Sequence, residues 1–263
     1  MRQFDYQRDC EAMGTRFEVF LQGEDQEHLE AVAVAVCEEI QRLDAALSRF
    51  DPRSEIARIN REAAKKPVRV DRELFALLET CEQARQQTNG YFDVTRGGWE
   101  LDAANNAVRL TSAETQIDLG GVGKGYALDR GREILRQFRI ADALLQGGTS
   151  SVLAVGDEAW PIDLRHPARP DIIAARIELT NRGLSCSAAR HAEQEVSDVV
   201  NPLTGAPLVG DAACVVLAAS AVEAEIYSTA LLAMGKETAK QYLENSELIV
   251  GWIDSKFSWL KKP

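Results

Sequence analysis

A chain of 263 residues, 45% hydrophobic and 27% charged, has the size and composition of a soluble globular protein with ample core. Its formal net charge of −11 argues against a nucleic-acid partner, whose phosphates demand a basic face. No stretch approaches the ~20 apolar residues of a membrane-spanning helix, so no membrane span is expected.

The chain begins Met1-Arg2-Gln3-Phe4-Asp5-Tyr6, without the apolar centre of a signal peptide. The expected location is cytoplasmic for the chain as it stands, or periplasmic if an export segment has been trimmed from it. The five cysteines (10, 37, 81, 186 and 214) are scattered, odd in number and lack metal-ligand spacing. Cys37, inside an apolar helical pattern, and Cys214, beside an apolar run, read as small core residues.

Thr15–Leu21 alternates apolar and polar residues in the manner of a strand. A long amphipathic helix is expected over residues 25–47, with Leu29, Val36, Ile40, Leu43 and Leu47 on one stripe. Residues 48–60 are polar and rich in turn formers, with Asp51-Pro52 as punctuation. Asp71 suits the N-cap of a second helix running to Gln87, which Asn89-Gly90 ends.

The segment Ile117-Asp118-Leu119-Gly120-Gly121-Val122-Gly123-Lys124-Gly125 comes next, and a helical pattern (Ala127, Leu128, Ile134, Leu135) follows it. Glycines let backbone N–H and C=O groups approach a ligand with no Cβ in the way. A turn that opens a helix also aims free N–H groups at an anion. With Lys124 as a mobile positive charge and Asp118 as an acceptor, the segment points to a phosphate-bearing ligand. A plain strand-to-helix connection is the alternative, at even weight. The segment is not a P-loop, because Gly125 rather than Ser or Thr follows Lys124. Gly121, Gly123 and Gly125 give G-x-G-x-G, one residue short of a dinucleotide fingerprint. That spacing, with no repeated βαβ pattern, disfavours a nicotinamide-dependent oxidoreductase.

Strand-like pieces cluster beyond it, at 143–145, Ser151–Val155, 159–164, 172–179 and 213–217. A final helical region begins near Ala221 and continues past Gly235, followed by an apolar piece at 248–252. Long helices mixed with short strands predict an α+β fold, with antiparallel sheets covered by helices, in one domain over 1–263.

Other short motifs stand beside the glycine turn. They include Met13-Gly14-Thr15, Leu47-Ser48-Arg49-Phe50, Ser54-Glu55-Ile56-Ala57-Arg58-Ile59-Asn60 and Thr88-Asn89-Gly90-Tyr91-Phe92-Asp93-Val94-Thr95. Further on come Gly147-Gly148, Trp160 with Pro167, Asn201-Pro202-Leu203-Thr204-Gly205, and Ala224-Glu225-Ile226-Tyr227-Ser228-Thr229-Ala230-Leu231 leading to Met234-Gly235. In this order they resemble the ApbE-type flavin transferases, FAD:protein FMN transferases, over roughly residues 13–235.

The resemblance implies an ApbE-like architecture related to the T-fold, with Mg²⁺ as cofactor and FAD as substrate. Such enzymes cleave the FAD pyrophosphate, pass FMN to a threonine hydroxyl of a target flavoprotein and release AMP. A hard cation suits that chemistry because it neutralises phosphate oxygens. The family's metal ligands map to the Gly121 carbonyl, Glu225 and Thr229, and residues four apart share a helix face. Met13 and Phe50 match FAD-contacting positions, Phe50 standing where the family usually has tyrosine. Tyr91, Phe92 and Asp93 match a segment lining the nucleotide site. Asp118 and Lys124 match polar contacts of the glycine turn, and Val200 matches a position whose backbone faces the ligand. Each has a plainer reading too: Met13 and Phe50 as core residues, Asp93 as a turn cap, Lys124 as a surface lysine, Glu225 and Thr229 as solvated helix positions.

The departures fall at the chemistry. The family's H-x-x-D-P-x-T-G reads Asp198-Val199-Val200-Asn201-Pro202-Leu203-Thr204-Gly205 here. Asp198 is then the candidate catalytic side chain, and an ordinary carboxylate is a weaker base than histidine unless burial raises its pKa. His191, His28 and His166 have no better claim. Glu225 stands where aspartate is expected, and Ser185-Cys186-Ser187 replaces a T-S-G turn. Three readings stay open: a divergent transferase, an FAD pyrophosphatase yielding FMN and AMP, and a flavin-binding protein that kept the fold without the activity.

Overall fold

The structure, a computed structural model, describes residues 5–95, 97–190, 197 and 199–262. Strands β1 (Tyr6–Ala12) and β2 (Thr15–Leu21) form an antiparallel hairpin. Its two-residue turn, Met13-Gly14, has positive φ at both positions (51° and 69°), the backbone twist that tight hairpins favour.

Helix α1 (Gln26–Leu47) is capped by Asp25, whose side chain accepts from His28 N. Leu29, Val32, Val36, Ile40, Leu43 and Leu47 are buried along its inner stripe, each such burial contributing about 1.5–3 kcal/mol. Helix α2 (Glu55–Glu62) corrects the expectation that 48–60 is all turn. Ser54 caps it by accepting from Ala57 N, and only Ile56 and Ile59 are buried, too few apolar positions to show a period. Strand β3 (Val68–Arg69) precedes α3 (Arg72–Gln87), which starts on Asp71 as expected. Strands β4 (Trp99–Asp102) and β5 (Ala107–Leu110) complete a small antiparallel sheet of order β3-β5-β4.

Helix α4 (Gly123–Gln137) takes in the end of the glycine turn, so Gly123, Lys124 and Gly125 form its first turn. Then come β6 (Ala143–Gly147), β7 (Ser151–Val155), the hairpin β8 (Trp160–His166) and β9 (Arg169–Leu179), β10 (Gly183–Ala188) and β11 (Ala213–Ala218). Ser185-Cys186-Ser187 therefore lies in a strand and not in a turn. Helix α5 (Ala221–Met234) is separated from α6 (Lys236–Tyr242) by Gly235 at φ 77°, a break that the apolar pattern alone did not show. Strands β12 (Ile249–Ile253) and β13 (Phe257–Lys261) end the fold.

The main sheet has eight strands in the order β1-β2-β6-β7-β10-β11-β12-β13, every neighbouring pair antiparallel. Alternation along its strands sends side chains to opposite layers. Leu145, Leu153, Cys214 and Val216 join the core under α1, α4 and α5. Leu144, Val152, Val215 and Leu217 join a second core covered by the β8–β9 hairpin, with Trp160, Ile162 and Leu164. Burial on both faces explains why β11 reads as an unbroken apolar run. The expected α+β class holds, with helices on one face of the sheet and a hairpin on the other.

Helix α5 is buried nearly all round, between the sheet and α4. A Cβ on Gly125 would lie 2.5 Å from the Ala221 carbonyl oxygen, so glycine sets how closely α4 and α5 cross. Asp129 on α4 accepts from Ala221 N (3.1 Å) and Val222 N (2.9 Å) and pairs with Arg132 at 2.8 Å. Burial pushes its carboxyl upward in pKa, which those hydrogen bonds partly offset. The first turn of α5 is thereby fixed on α4.

Candidate functional site

A cleft of about 260 Å³ opens where three elements end. Met13 and Gly14 come from the β1–β2 turn, Leu47, Arg49 and Phe50 from the end of α1, and Asp118, Gly123 and Lys124 from the approach to α4.

Asn60 holds that approach in place. Its side chain donates to Ile117 O at 3.0 Å and accepts from Ile117 N at 2.7 Å, a two-point grip on backbone. Asp118 N donates to Val94 O at 2.8 Å, so the segment is tied on both sides. The Asp118 carboxylate accepts from Gly120 N at 3.0 Å and lies 3.4 Å from Arg49 Nε. Arg49 also sits over the Phe50 ring, 4.5 Å from its centroid. Phe50 is 81% exposed, so it is no core residue: its ring stands at the cleft mouth. Val122, the residue before α4, makes no side-chain cap; Gly123 N donates instead to Leu119 O at 2.8 Å, and Gly125 N is taken by Glu225 of α5.

Behind the cleft lies a buried polar cluster. Glu225 is 3% exposed, with Lys124 Nζ 3.2 Å from Oε1. Ser151 donates its hydroxyl to the same oxygen, and Gly125 N donates to Oε2 at 2.8 Å. A buried carboxylate needs such partners, since an isolated one is very costly to desolvate. One turn on, Thr229 Oγ1 is 3.1 Å from Ser187 Oγ, which is 2.7 Å from Ser228 Oγ. Ser228 in turn donates to Ser185 Oγ at 3.0 Å. Glu225 and Thr229 thus share a helix, as expected, but their side chains engage different partners. A Cβ on Gly121 would stand 3.9 Å from Thr229 Oγ1 and 3.6 Å from Phe92 Cε2, which places all three residues together.

Phe92 is buried and its N–H donates to Thr88 Oγ1 at 3.0 Å, with Tyr91 half-buried beside it. Asp93 accepts from Thr95 N at 2.7 Å and from the Thr95 hydroxyl at 2.8 Å, a local turn closure. Val200 bridges Pro207, and Asn201 ties the turn between them to α5 by donating to Ala233 O at 3.2 Å. Asp198 and His191 lie outside the described residues. His28 contacts Phe138 O and His166 contacts Asp254 O, both away from the cleft.

Among the described residues, no group of three or more His, Cys, Asp or Glu could hold a metal. The side-chain oxygen beside Gly121 is the Thr229 hydroxyl, and the Glu225 carboxylate lies one turn earlier on α5. Arg49, Asn60, Ser151 and Ser187 join the site without having been singled out. Their only sequence signal was membership of a quoted motif or of an adjoining strand.

The sequence matches the ApbE family over residues 13–100 and 98–251. The chain belongs to the ApbE family. Among its relatives is an FAD:protein FMN transferase of Klebsiella pneumoniae (strain 342), 26% identical over 258 residues, covering 84% of this chain and 81% of that protein. The FAD:protein FMN transferase of Escherichia coli (strain K12) is 23% identical, covering 94% of this chain and 85% of that one. The ApbE protein of Thermotoga maritima superposes with a TM-score of 0.88 at 23% identity, covering 99% and 97% of the two chains. The apo flavinyl transferase ApbE of Pseudomonas stutzeri gives 0.83 at 21% identity, covering 97% and 93%. The architecture described above is thus an ApbE fold across the whole chain. Among the described residues, no helix of this ApbE-family chain is long and apolar enough to cross a membrane.

Proposed function

We propose that the chain is an FAD:protein FMN transferase, moving FMN from FAD to a threonine of a target flavoprotein with release of AMP. The observation that carries this reading is one cleft joining an exposed aromatic ring at its mouth to a glycine-rich, lysine-bearing helix start at its back. A flavin is a flat apolar ring system joined to a pyrophosphate, and those two ends of the cleft suit its two parts.

In this reading Met13 and Phe50 bear on the flavin, with Tyr91, Phe92 and Asp93 along the nucleotide and the Val200 backbone opposite. The α4 N-terminus and Lys124 meet the pyrophosphate, the helix dipole and the ammonium both favouring negative charge there. Asp118 fixes Gly120 and anchors Arg49, which keeps the turn open and steadies Phe50.

The Thr229 hydroxyl beside Gly121 and the Glu225 carboxylate one turn earlier are oxygen donors of the kind that Mg²⁺, a hard cation, prefers. Glu225, Thr229 and the Gly121 carbonyl would hold it, and it would supply neutralisation of the pyrophosphate oxygens. Glu225 Oε1 already carries Lys124 and Ser151, while among the described residues Oε2 accepts from Gly125 N alone. The second oxygen therefore keeps a lone pair for a further ligand.

In the transfer itself, the acceptor hydroxyl oxygen bonds to the FMN-side phosphorus and the P–O bond to AMP breaks. The hydroxyl proton needs an acceptor, and Asp198 is the side chain at the corresponding family position. The second reading is a flavin-binding protein without transferase activity. The Asp198 and Asn201 substitutions at that motif favour it.

Incubation with FAD, Mg²⁺ and a flavoprotein domain bearing an acceptor threonine separates the readings. Gain of one FMN in the target's mass, with AMP released, is the expected result. AMP without target labelling indicates hydrolysis, and tight FAD binding with neither product removes both catalytic readings.

A further inference from the structure

Lys124 stands between two places that call for its charge. It lines the cleft, and its Nζ lies 3.2 Å from Glu225 Oε1 behind it. Its stem starts at the end of β6, where a Cβ on Gly147 would stand 3.5 Å from Lys124 Cβ. The other partners of Glu225 are fixed in place: Ser151 is buried on β7, and Gly125 N belongs to the α4 backbone. Lys124, on a flexible stem that is partly exposed, is the partner that can leave. Asp129, further along α4, already has its own counter-charge in Arg132 at 2.8 Å.

Charge balance limits what the site accepts. Lys124 and Glu225 together are neutral, and Glu225 is buried. A divalent cation at that carboxylate sets its charge beside the ammonium, and water screens such repulsion poorly away from the surface. A nucleotide pyrophosphate alone sets its negative charge against the same buried carboxylate. Bound together, the cation and the pyrophosphate cancel, and the ammonium gains a second anion to turn to.

We propose that Lys124 is an exchangeable counter-ion: it neutralises Glu225 in the ligand-free protein, yields that carboxylate to a divalent cation, and turns to the pyrophosphate of the incoming nucleotide. The exchange rests on the proposed flavin reading and adds to it a coupling between two ligands. Each ligand removes the charge that opposes the other, and such coupling is reciprocal. No covalent bond changes in the exchange.

A lysine that only touched phosphate would behave differently. Its removal would weaken nucleotide binding and leave the affinity for the cation alone unchanged. Removal of an exchangeable counter-ion has two effects of opposite sign, because Glu225 loses a competitor for its lone pairs.

The test is calorimetric titration of the full chain with Mg²⁺ alone, with FAD alone and with FAD at saturating Mg²⁺. Lys124→Met should bind Mg²⁺ alone about tenfold or more tightly than the parent, and FAD alone about tenfold or more weakly. Lys124→Arg, which keeps the charge, should bind Mg²⁺ alone as the parent does. Mg²⁺ binding that is unchanged or weaker in Lys124→Met overturns the exchange, and the flavin reading survives that result if FAD still binds the parent. Failure of FAD to bind the parent, with or without Mg²⁺, overturns both. If Lys124→Met does not fold, acetylation of the unmodified chain, mapped by mass spectrometry, decides it. Lys124 should react severalfold faster with Mg²⁺ present than without it, and slowly again once FAD is added. Lys236 and Lys240, paired with Asp254 and Glu237, serve as internal references. A Lys124 rate indifferent to Mg²⁺ overturns the proposal.

Discussion

Lys124 Nζ lies 3.2 Å from Glu225 Oε1, joining the first turn of α4 to the centre of α5 in a site where Glu225 is 3% exposed. The pair sits where the glycine turn, the start of β7 and α5 converge, so it is both a structural tie and the back of the candidate flavin site.

Replacing Glu225 by Gln should cost about 3 kcal/mol of folding stability, because Lys124 then loses its counter-charge while still partly buried. The low end of the range for broken buried pairs applies, since the lysine side chain keeps 23% exposure and can turn to water. Urea unfolding of the two proteins measures the difference. A change below about 0.5 kcal/mol would show that the pair contributes little.

Gly125→Ala tests the α4–α5 crossing. Alanine normally stabilises a helix relative to glycine by about 1 kcal/mol. Here the new methyl would stand 2.5 Å from the Ala221 carbonyl oxygen, which is backbone and cannot rotate away. The sign should reverse, to a loss of about 1–3 kcal/mol, with weakened FAD binding because Glu225 and Thr229 shift with α5. A more stable variant in denaturant titration would contradict the packing described.

Phe50→Ala separates binding from stability. The ring is 81% exposed, so the unfolding midpoint should stay within about 0.5 kcal/mol of the parent. FAD affinity, followed by flavin fluorescence, should fall about tenfold through loss of an aromatic contact. Unchanged affinity would remove Phe50 from the flavin site.

Glu82 gives a pH prediction. Hydrogen bonds from Arg85, Trp99 and Gln86 hold its carboxyl down at about 2, against an ordinary value of 4.5. A depressed folded-state pKa means its stabilisation is present above about 4.5 and is lost as pH falls from there toward about 2. Glu82→Gln should therefore melt lower than the parent at pH 7, with the gap closing as pH approaches 2. Melting curves across that window check it, and a gap that widens on acidification would reverse the assignment.

Asp198→His tests the proposed proton acceptor, since imidazole is the stronger base near neutral pH. If proton removal limits transfer, FMN labelling of a target should rise by about 10²-fold or more, the usual contribution of a positioned general base. No rise, with FAD still bound, would place the limitation elsewhere in the site.

Much of the fold was legible in residue order. The stripe of α1, the Asp71 cap of α3 and the run of β7 follow from neighbours a few residues apart, which fix periodicity and capping directly. α2 and the six strands β1, β3, β4, β5, β10 and β13 were not legible as such: most are short or half-exposed, and the Ser185-Cys186-Ser187 stretch of β10 reads as a turn. The order of short motifs pointed to the ApbE family, and the glycine turn pointed to an anion-binding helix end.

What the sequence by itself determined is therefore local: which segments form helices and strands, where a helix begins with glycines and a lysine, and which motifs follow one another. Only the tertiary structure decided which partners those groups take. Gly125 and Glu225 are 100 residues apart in the chain, yet meet at 2.8 Å. Ser151 and Ser187 enter the site from separate strands of the main sheet. Nothing in the spacing of these residues encodes such pairings. They arise from sheet order and the close α4–α5 crossing, because a buried carboxylate must find its counter-charge and donors wherever the packed chain brings them.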